Sequence, residues 1–599
     1  MKPGGGDTFA LIPGPGGAGD GLADIVAAGG LHNYQLRLHA EYGPVVRFRL
    51  PGAETAVSIA DPVLLEATAK VDKRPEKLFE FLAPLQESDN LQTLSAEEHT
   101  PWRRVLLSVL AGRRSHEAHF GQFVTLTCDM ADRWAASDGP IALQQQLSEL
   151  SLRMICDYAL GAGADSPEQA GRIVSAFEDV LTDQLARLYQ ADLPGTEADR
   201  GDRAQRALTF LRATVDGVLT AHQDAADQDA AHQDAAHQDA AHQVAACQVA
   251  ACQDAAHQVA ACQVAACQVA ACQDAACQVA ACQVAAHQDA AVQDDGHQDG
   301  AHQDGAHQDG AHQDDAHQDD ADQDGADQDG ADQDGADQDD ADQNDADQDD
   351  GCQDAGHQDD AHQYSVHQVS AHQVSARQTD GSDLIAALAA AGQPPARIRD
   401  TVLMTMLAAH HTTGVAISWT LYLLAQHPDV ADRVADELAR VLGDRPAPDY
   451  ADLKRLTYLK MVLEESMRLY PPGPYGAREI SEVLRVGDYS IPAGTTVFYP
   501  IWAVHLNPEY WPQPEVFRPE RFSGAESAGR PRLAYIPFGL GPRSCEGSAL
   551  AMVEAQLVLA VLLRRFRFEL APGHSVVPVE RFVLWAADDI RMNLTPRVT

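Results

Sequence analysis

Between His222 and Gly381 the chain repeats with a period of five, and Gln returns at every fifth position from Gln223 to Gln378. Five residues advance about 140° round an α-helix, and on a strand an odd period changes face at each unit. Neither form lines up a stripe that could be buried. Ala is nearly the only apolar residue of the acidic half, and low hydrophobicity with dense Asp predicts disorder there. The Val-Ala-Ala-Cys units between Ala245 and Ala286 leave room for transient helix. Metal capture by the 15 His and eight Cys of the repeat is an alternative, weakened by the absence of preorganised ligand geometry. A pentapeptide β-helix would need Leu or Phe pointing inward, and the repeat supplies neither. A packed domain must therefore come from the two flanks. The expected organisation is one domain in two parts, residues 1–221 and 382–599, interrupted by an insertion at 222–381. Loop-closure cost grows slowly enough with length to tolerate it.

The repeat also distorts the bulk composition. It holds 35 acidic residues against the single Arg377, so only −12 of the formal net charge of −46 belongs to the other 439 residues. No basic stripe suggests nucleic-acid binding. Eight of the 11 cysteines lie in the repeat, leaving Cys128, Cys156 and Cys545. Three widely spaced cysteines make no disulfide framework and fit a reducing cytoplasm. Met1-Lys2-Pro3-Gly4-Gly5-Gly6 leads into no apolar segment of signal or spanning length, which predicts a cytoplasmic protein without a membrane anchor.

The flanks read as mostly helical with minor sheet. Val45 to Leu50 and Thr55 to Ile59, either side of Pro51-Gly52, predict a hairpin. Apolar residues at three- and four-residue spacing predict helices between Glu98 and Ala221, as in Leu147 to Leu160 and Leu208 to Leu219. A long apolar helix is expected from about Ile398 to Gln426, ending before His427-Pro428. Short strands are expected around Leu484 to Phe498, then a helix from about Ser548 to Phe566.

The most informative segment is Pro537-Phe538-Gly539-Leu540-Gly541-Pro542-Arg543-Ser544-Cys545-Glu546-Gly547. A glycine-rich loop delivers one cysteine to the start of an apolar helix. Glycines let backbone approach a flat ligand, and the helix N-terminus is expected to favour thiolate over thiol. Arg543 is placed to meet an anionic edge of such a ligand. Phe538, Gly541, Arg543, Cys545 and Gly547 stand at the spacing of the cytochrome P450 signature, and the chain resembles that family, in its soluble bacterial type. The resemblance runs from about Leu11 to Arg597 outside the repeat.

Other segments are similar to the family as well. Glu465-Ser466-Met467-Arg468 sets Glu and Arg three apart on one helical face. In isolation that pattern is usually a surface ion pair. Here Phe517-Arg518-Pro519-Glu520-Arg521-Phe522 follows, and the resemblance implies a buried network of Glu465, Arg468 and Arg521 that holds the cysteine loop. Glu98-His99-Thr100-Pro101-Trp102-Arg103-Arg104 resembles the family's helix over the haem propionates, with His99 and Arg103 as donors and Trp102 a possible substitute. A solvated basic helix start is the alternative. Arg478 is a further propionate candidate. Ala408-Ala409-His410-His411-Thr412-Thr413 resembles the oxygen-activation segment, with Thr412 at the hydroxyl position. Ala409 stands where the family has glycine and His411 where it has an acid. His411 can relay protons near neutral pH, and Thr412 can instead bond back to the carbonyl four residues earlier.

The resemblance implies a mainly α fold with a small β region, the cytochrome P450 fold as a single haem domain, with haem b bound through Cys545. It implies monooxygenation of a small hydrophobic molecule by dioxygen, with electrons from a ferredoxin or flavodoxin and its reductase. Leu407, Ala408, Pro474 and Trp585 are expected to line the pocket. A haem-thiolate isomerase, dehydratase or peroxygenase is the alternative enzyme, and a haem-binding protein without catalysis the alternative outside enzymes.

Overall fold

The computed structural model describes residues 8–228 and 384–597, apart from short breaks at 17–18, 52, 90, 162–163, 165, 190–195 and 226. The expectation of disorder in the repeat lies outside the described residues, except for its first few positions. The described part belongs to one compact unit to which both flanks contribute, residues 1–235 and 374–599. It is mainly helical with small sheets, the class expected from the sequence.

One helix organises the unit. It runs from Pro395 to Gln426, 32 residues, about 48 Å at 1.5 Å per residue. Pro395 at its first turn needs no N–H partner, and it stops at His427, where Pro428 opens the next helix, Pro428–Leu442. This central helix is apolar on most sides, so it is enclosed by other elements rather than laid on a surface. The helix Leu143–Ile155 crosses it most closely at Gly414, where a Cβ would lie 2.7 Å from the Ser148 nitrogen. The expected helix through Leu160 ends earlier as α-helix: Cys156–Leu160 form a π turn that closes on Gly161 at φ 67°. Trp419 stacks on Tyr470 at 4.1 Å and donates to the Leu584 carbonyl, tying the C-terminal half of the central helix to the strand Val583–Ala586.

The hairpin Val45–Leu50 and Ala53–Ile59 forms, with Val45 opposite Ile59. Strand Thr496–Tyr499 joins it in parallel, Val57 opposite Val497, and Gly476–Glu479 completes a four-stranded sheet with Arg478 opposite Val497. The helix Ser548–Arg565, directly after the cysteine loop, is buried without interruption from Glu554 to Leu563 and packs against both the central helix and Arg113–Ala135.

Candidate functional site

The loop from Ile536 to Gly547 is closed by its own backbone. Cys545 N–H donates to the Phe538 carbonyl at 2.9 Å, and Ser544 N–H to the Gly541 carbonyl at 3.1 Å. Gly541 sits at φ 67°, where a Cβ would lie 2.3 Å from the Ala69 carbonyl oxygen. Only glycine fits that contact. The loop thus places Cys545 just ahead of the helix Ser548–Arg565, and the residue retains accessible surface. Its electrostatics differ from expectation. Burial among neighbouring atoms, with Glu546 adding, pushes the thiol up to about 11, against the opposing pull of the Gly547 N–H, Arg103 and Arg74. Desolvation outweighs the pull of the helix start. A bound cation would be needed to hold the thiolate.

A buried charge network underlies this loop. Arg468 donates to both oxygens of Glu465, at 2.7 and 2.8 Å, and Arg521 donates to Glu465 at 3.3 Å. All three side chains are at most 1% exposed. The remaining donors are spent on backbone carbonyls: Arg468 on His505, Pro514 and Val516, Arg521 on Pro512, Gln513 and Val516. His505 Nε2 accepts from Ile536 N–H at 2.9 Å, which carries the network to the first residue of the loop. Each charge is multiply bonded, the condition under which a buried ion pair is tolerated.

Around the loop stands a cluster of bases. Arg543 donates to Asp72 and to the Leu94 carbonyl, yet its Nη1 is enclosed without a partner. Arg74, on which the sequence gave no signal, donates to the Arg543 carbonyl at 3.0 Å, and its Nε is likewise enclosed and unpartnered. Arg478 is buried and donates to the carbonyls of Val71, Ala477 and Leu540. Arg103 reaches the Ser544 carbonyl at 2.6 Å, the Ser544 hydroxyl at 3.1 Å and the Glu546 carboxylate, so it braces the loop directly. His99 is buried, and burial first, then Arg543, pushes it down to about 4. It is therefore neutral at pH 7. Trp102, read as a substitute donor, gives its N–H to the Thr401 hydroxyl of the central helix. Asp72 and Glu546 are the acids among these bases.

The central helix carries the remaining expected residues. Among its buried positions, Thr405, Ala408, Ala409 and Thr412 keep accessible surface. Their spacing of three, four and seven puts them on one face. Thr412 donates to the Ala408 carbonyl at 2.8 Å, the back-bond. His411 flanks this strip, its ring 3.8 Å from His410 and edge-on to Trp585 at 5.2 Å. Burial, with His410 adding, holds it well below the ordinary histidine range. Titration near neutral pH, expected from an unperturbed imidazole, is thus lost to desolvation. Leu407 points into the core, away from the strip that Ala408 occupies, while Pro474 and Trp585 are buried.

These features fit a flat, anion-edged metal macrocycle: one cysteine that keeps accessible surface, two enclosed guanidinium nitrogens without partners, and a strip of small side chains. Among the described residues no group of three His, Cys, Asp or Glu could hold a bare metal ion. No described helix is long and apolar enough to cross a membrane.

Residues 352–594 match the family model of cytochrome P450. The chain is 39% identical over 202 residues to cytochrome P450 4B1 of Rattus norvegicus, covering 34% of this chain and 40% of that protein. It is 38% identical over 220 residues to a probable cytochrome P450 4d20 of Drosophila melanogaster, covering 36% and 43%. To cytochrome P450 4V2 of Mus musculus it is 43% identical over 173 residues, covering 29% and 33%. The chain thus spans less than half the length of these relatives.

Proposed function

We propose that this chain, whose residues 352–594 match the cytochrome P450 family model, is a member of that family: a haem-thiolate monooxygenase with haem b as cofactor, acting on a small hydrophobic molecule. The observation that carries this reading is the pairing of an accessible Cys545 with a cluster of bases that leaves Arg543 Nη1 and Arg74 Nε without partners. When bound, the haem supplies reductive activation of dioxygen, and thiolate ligation favours O–O cleavage.

The chain's own residues then have separate tasks. Cys545 would hold the haem iron. Phe538, Gly541 and Gly547 shape the loop against the macrocycle. Arg543 and Arg74, each with an enclosed nitrogen left unpartnered, would meet its anionic edge, with Arg478, Arg103 and His99 bracing the surroundings. Glu465, Arg468 and Arg521 fix the loop without touching the reacting atoms. The strip of Ala408, Ala409 and Thr412 faces the substrate side, and its small apolar surface favours a hydrophobic substrate. Thr412 steadies a proton donor by rotating its hydroxyl off the Ala408 carbonyl. His411, being neutral, can act only through Nε2, since its Nδ1 is enclosed without a partner. Electrons come from a separate ferredoxin or flavodoxin with its reductase, in the cytoplasm. Residues 1–221 and 382–599 together form the haem domain, and 222–381 is an insertion in it.

The test is product formation by the purified full chain with an electron-supplying system, after substrates are screened by their shift of the haem spin state. Product that needs both dioxygen and reductant supports the reading. Product made from hydrogen peroxide alone, with no yield from dioxygen and reductant, replaces it with the peroxygenase reading. That second reading is favoured by the Thr412 back-bond and by a neutral His411 in place of an acid.

A further inference from the structure

Away from the cysteine loop, the helix Pro167–Tyr189 and the helix of residues 197–225 leave an open groove of about 550 Å³ between them. Its walls follow from sequence spacing. Gly171, Ser175 and Asp179 stand four apart on the first helix, and Arg203, Arg206 and Phe210 three and four apart on the second, so each set shares one face. Facing helices ordinarily interdigitate ridges of side chains. Here Gly171, Ser175, Ala176 and Ala207 are too small to fill the space. Phe177 lies about 180° round its helix from Glu168, which lines the groove, and stacks on His410 of the central helix at 5.1 Å. The groove is therefore on the outer side of that helix, and the central helix on the inner.

Three guanidinium groups line the groove against two carboxylates, on a chain whose net charge is −46. Arg203 faces Asp179 at 3.7 Å, and Glu168 turns to its own backbone N–H and the Ser166 hydroxyl. Arg172 lies over the Phe210 ring at 4.7 Å. Arg206, one turn before Phe210, has no carboxylate partner among the described residues. Two arginine forks thus flank one aromatic ring above a floor of alanines. The geometry points to a second binding site, separate from the haem side, for a small aromatic carboxylate. Its carboxylate bonds the forks of Arg172 and Arg206, and its ring packs on Phe210, Ala176 and Ala207. A planar guanidinium meets a carboxylate through two parallel N–H donors. The apolar floor adds a preference for a flat hydrophobic body over a small hydrated ion. All three arginines are exposed, so binding is modest and weakened by salt. The site goes beyond the function proposed above and uses none of its residues.

The experiment is equilibrium dialysis of 2-naphthoate against the purified full chain, with and without 4-phenylimidazole on the haem iron to occupy the haem side. Saturable binding with a dissociation constant below about 1 mM is expected, undiminished by 4-phenylimidazole. The neutral 2-naphthamide, with the same body and no charge, should bind about fivefold more weakly, as should 2-naphthoate to Arg206→Met, the upper range for an exposed ion pair. Ser175→Phe, a change at an exposed position, fills the groove. It should abolish binding and leave the 4-phenylimidazole difference spectrum unchanged. Displacement of 2-naphthoate by 4-phenylimidazole, equal binding of 2-naphthamide, or wild-type affinity in either variant overturns the inference. So does the absence of binding at about 1 mM. Should Ser175→Phe fail to fold, Arg206→Met still decides. Failure of the haem reading would show instead as a missing 4-phenylimidazole spectrum, and the two variants and the neutral amide would still decide the groove.

Discussion

Arg74 donates through Nη2 to the main-chain carbonyl of Arg543 at 3.0 Å, across 469 positions of sequence, and so brings two guanidinium groups into one buried corner beside the cysteine loop. Burial, with Arg478 and Arg543 adding their charge, pushes Arg74 down to about 10. Like charges gathered at such a cost mark a place built to receive an anion.

Arg74→Met removes one donor to that anion and should loosen the cofactor. A charge-assisted hydrogen bond is worth about 1.5–3 kcal/mol, so haem transfer to apomyoglobin should speed up by roughly 10- to 100-fold. The apoprotein, relieved of one crowded charge, should unfold no more easily than wild type. A release rate equal to wild type would remove Arg74 from the cofactor site.

Cys545→Ser should abolish the red-shifted ferrous–CO Soret band that thiolate ligation produces, whereas Cys128→Ser and Cys156→Ser should keep it. Cys128 lies on the helix Arg113–Ala135 and Cys156 in the π turn, neither of them in the loop. Retention of the band in Cys545→Ser would end the assignment of the ligand.

Glu465→Gln should destabilise the fold by about 3–5 kcal/mol, the usual consequence of leaving buried charges uncompensated. Arg468 and Arg521 would keep their carbonyl partners but lose their counter-charge. Denaturant unfolding of the two proteins, read by haem absorbance and by far-UV circular dichroism, gives the difference. A loss under about 1 kcal/mol would mean the network is solvated.

Glu554 is the buried acid of the helix that follows the loop, with Oε1 unpartnered, and burial pushes it up to about 8. Its folded pKa lies above its ordinary value of 4.5. Between those two values the folded state holds a proton that the unfolded chain releases. Stability should therefore fall as pH rises from about 5 to 8. Glu554→Gln should remove roughly 3 kcal/mol of that fall. Unfolding free energies of both proteins at pH 5.5 and 7.5 check it, and parallel pH dependences would show that Glu554 is paired.

What the sequence determined by itself was contiguous. The loop from Pro537 to Gly547 and the Glu465/Arg468 pair are fixed by neighbours within about ten residues, as are the uninterrupted central helix and the hairpin around Pro51. Local spacing was therefore enough to find them. Tertiary structure decided everything that depends on water exclusion. Arg74 gave no local sign, because the Arg543 carbonyl it donates to and the Arg478 charge it faces are more than 400 positions away. The helix start at Cys545 predicts a stabilised thiolate, but desolvation by burial outweighs that local field. The sequence alone predicts that His411 titrates near neutral pH, whereas burial, with His410 adding, holds it well below that range. Glu554 sits one residue after Val553 in a pattern that reads only as apolar helix, and its burial is legible only once that helix is packed on all sides. The sequence names the side chains near each other along the chain. The packed fold alone sets how much water each charge keeps, and that sets its chemistry.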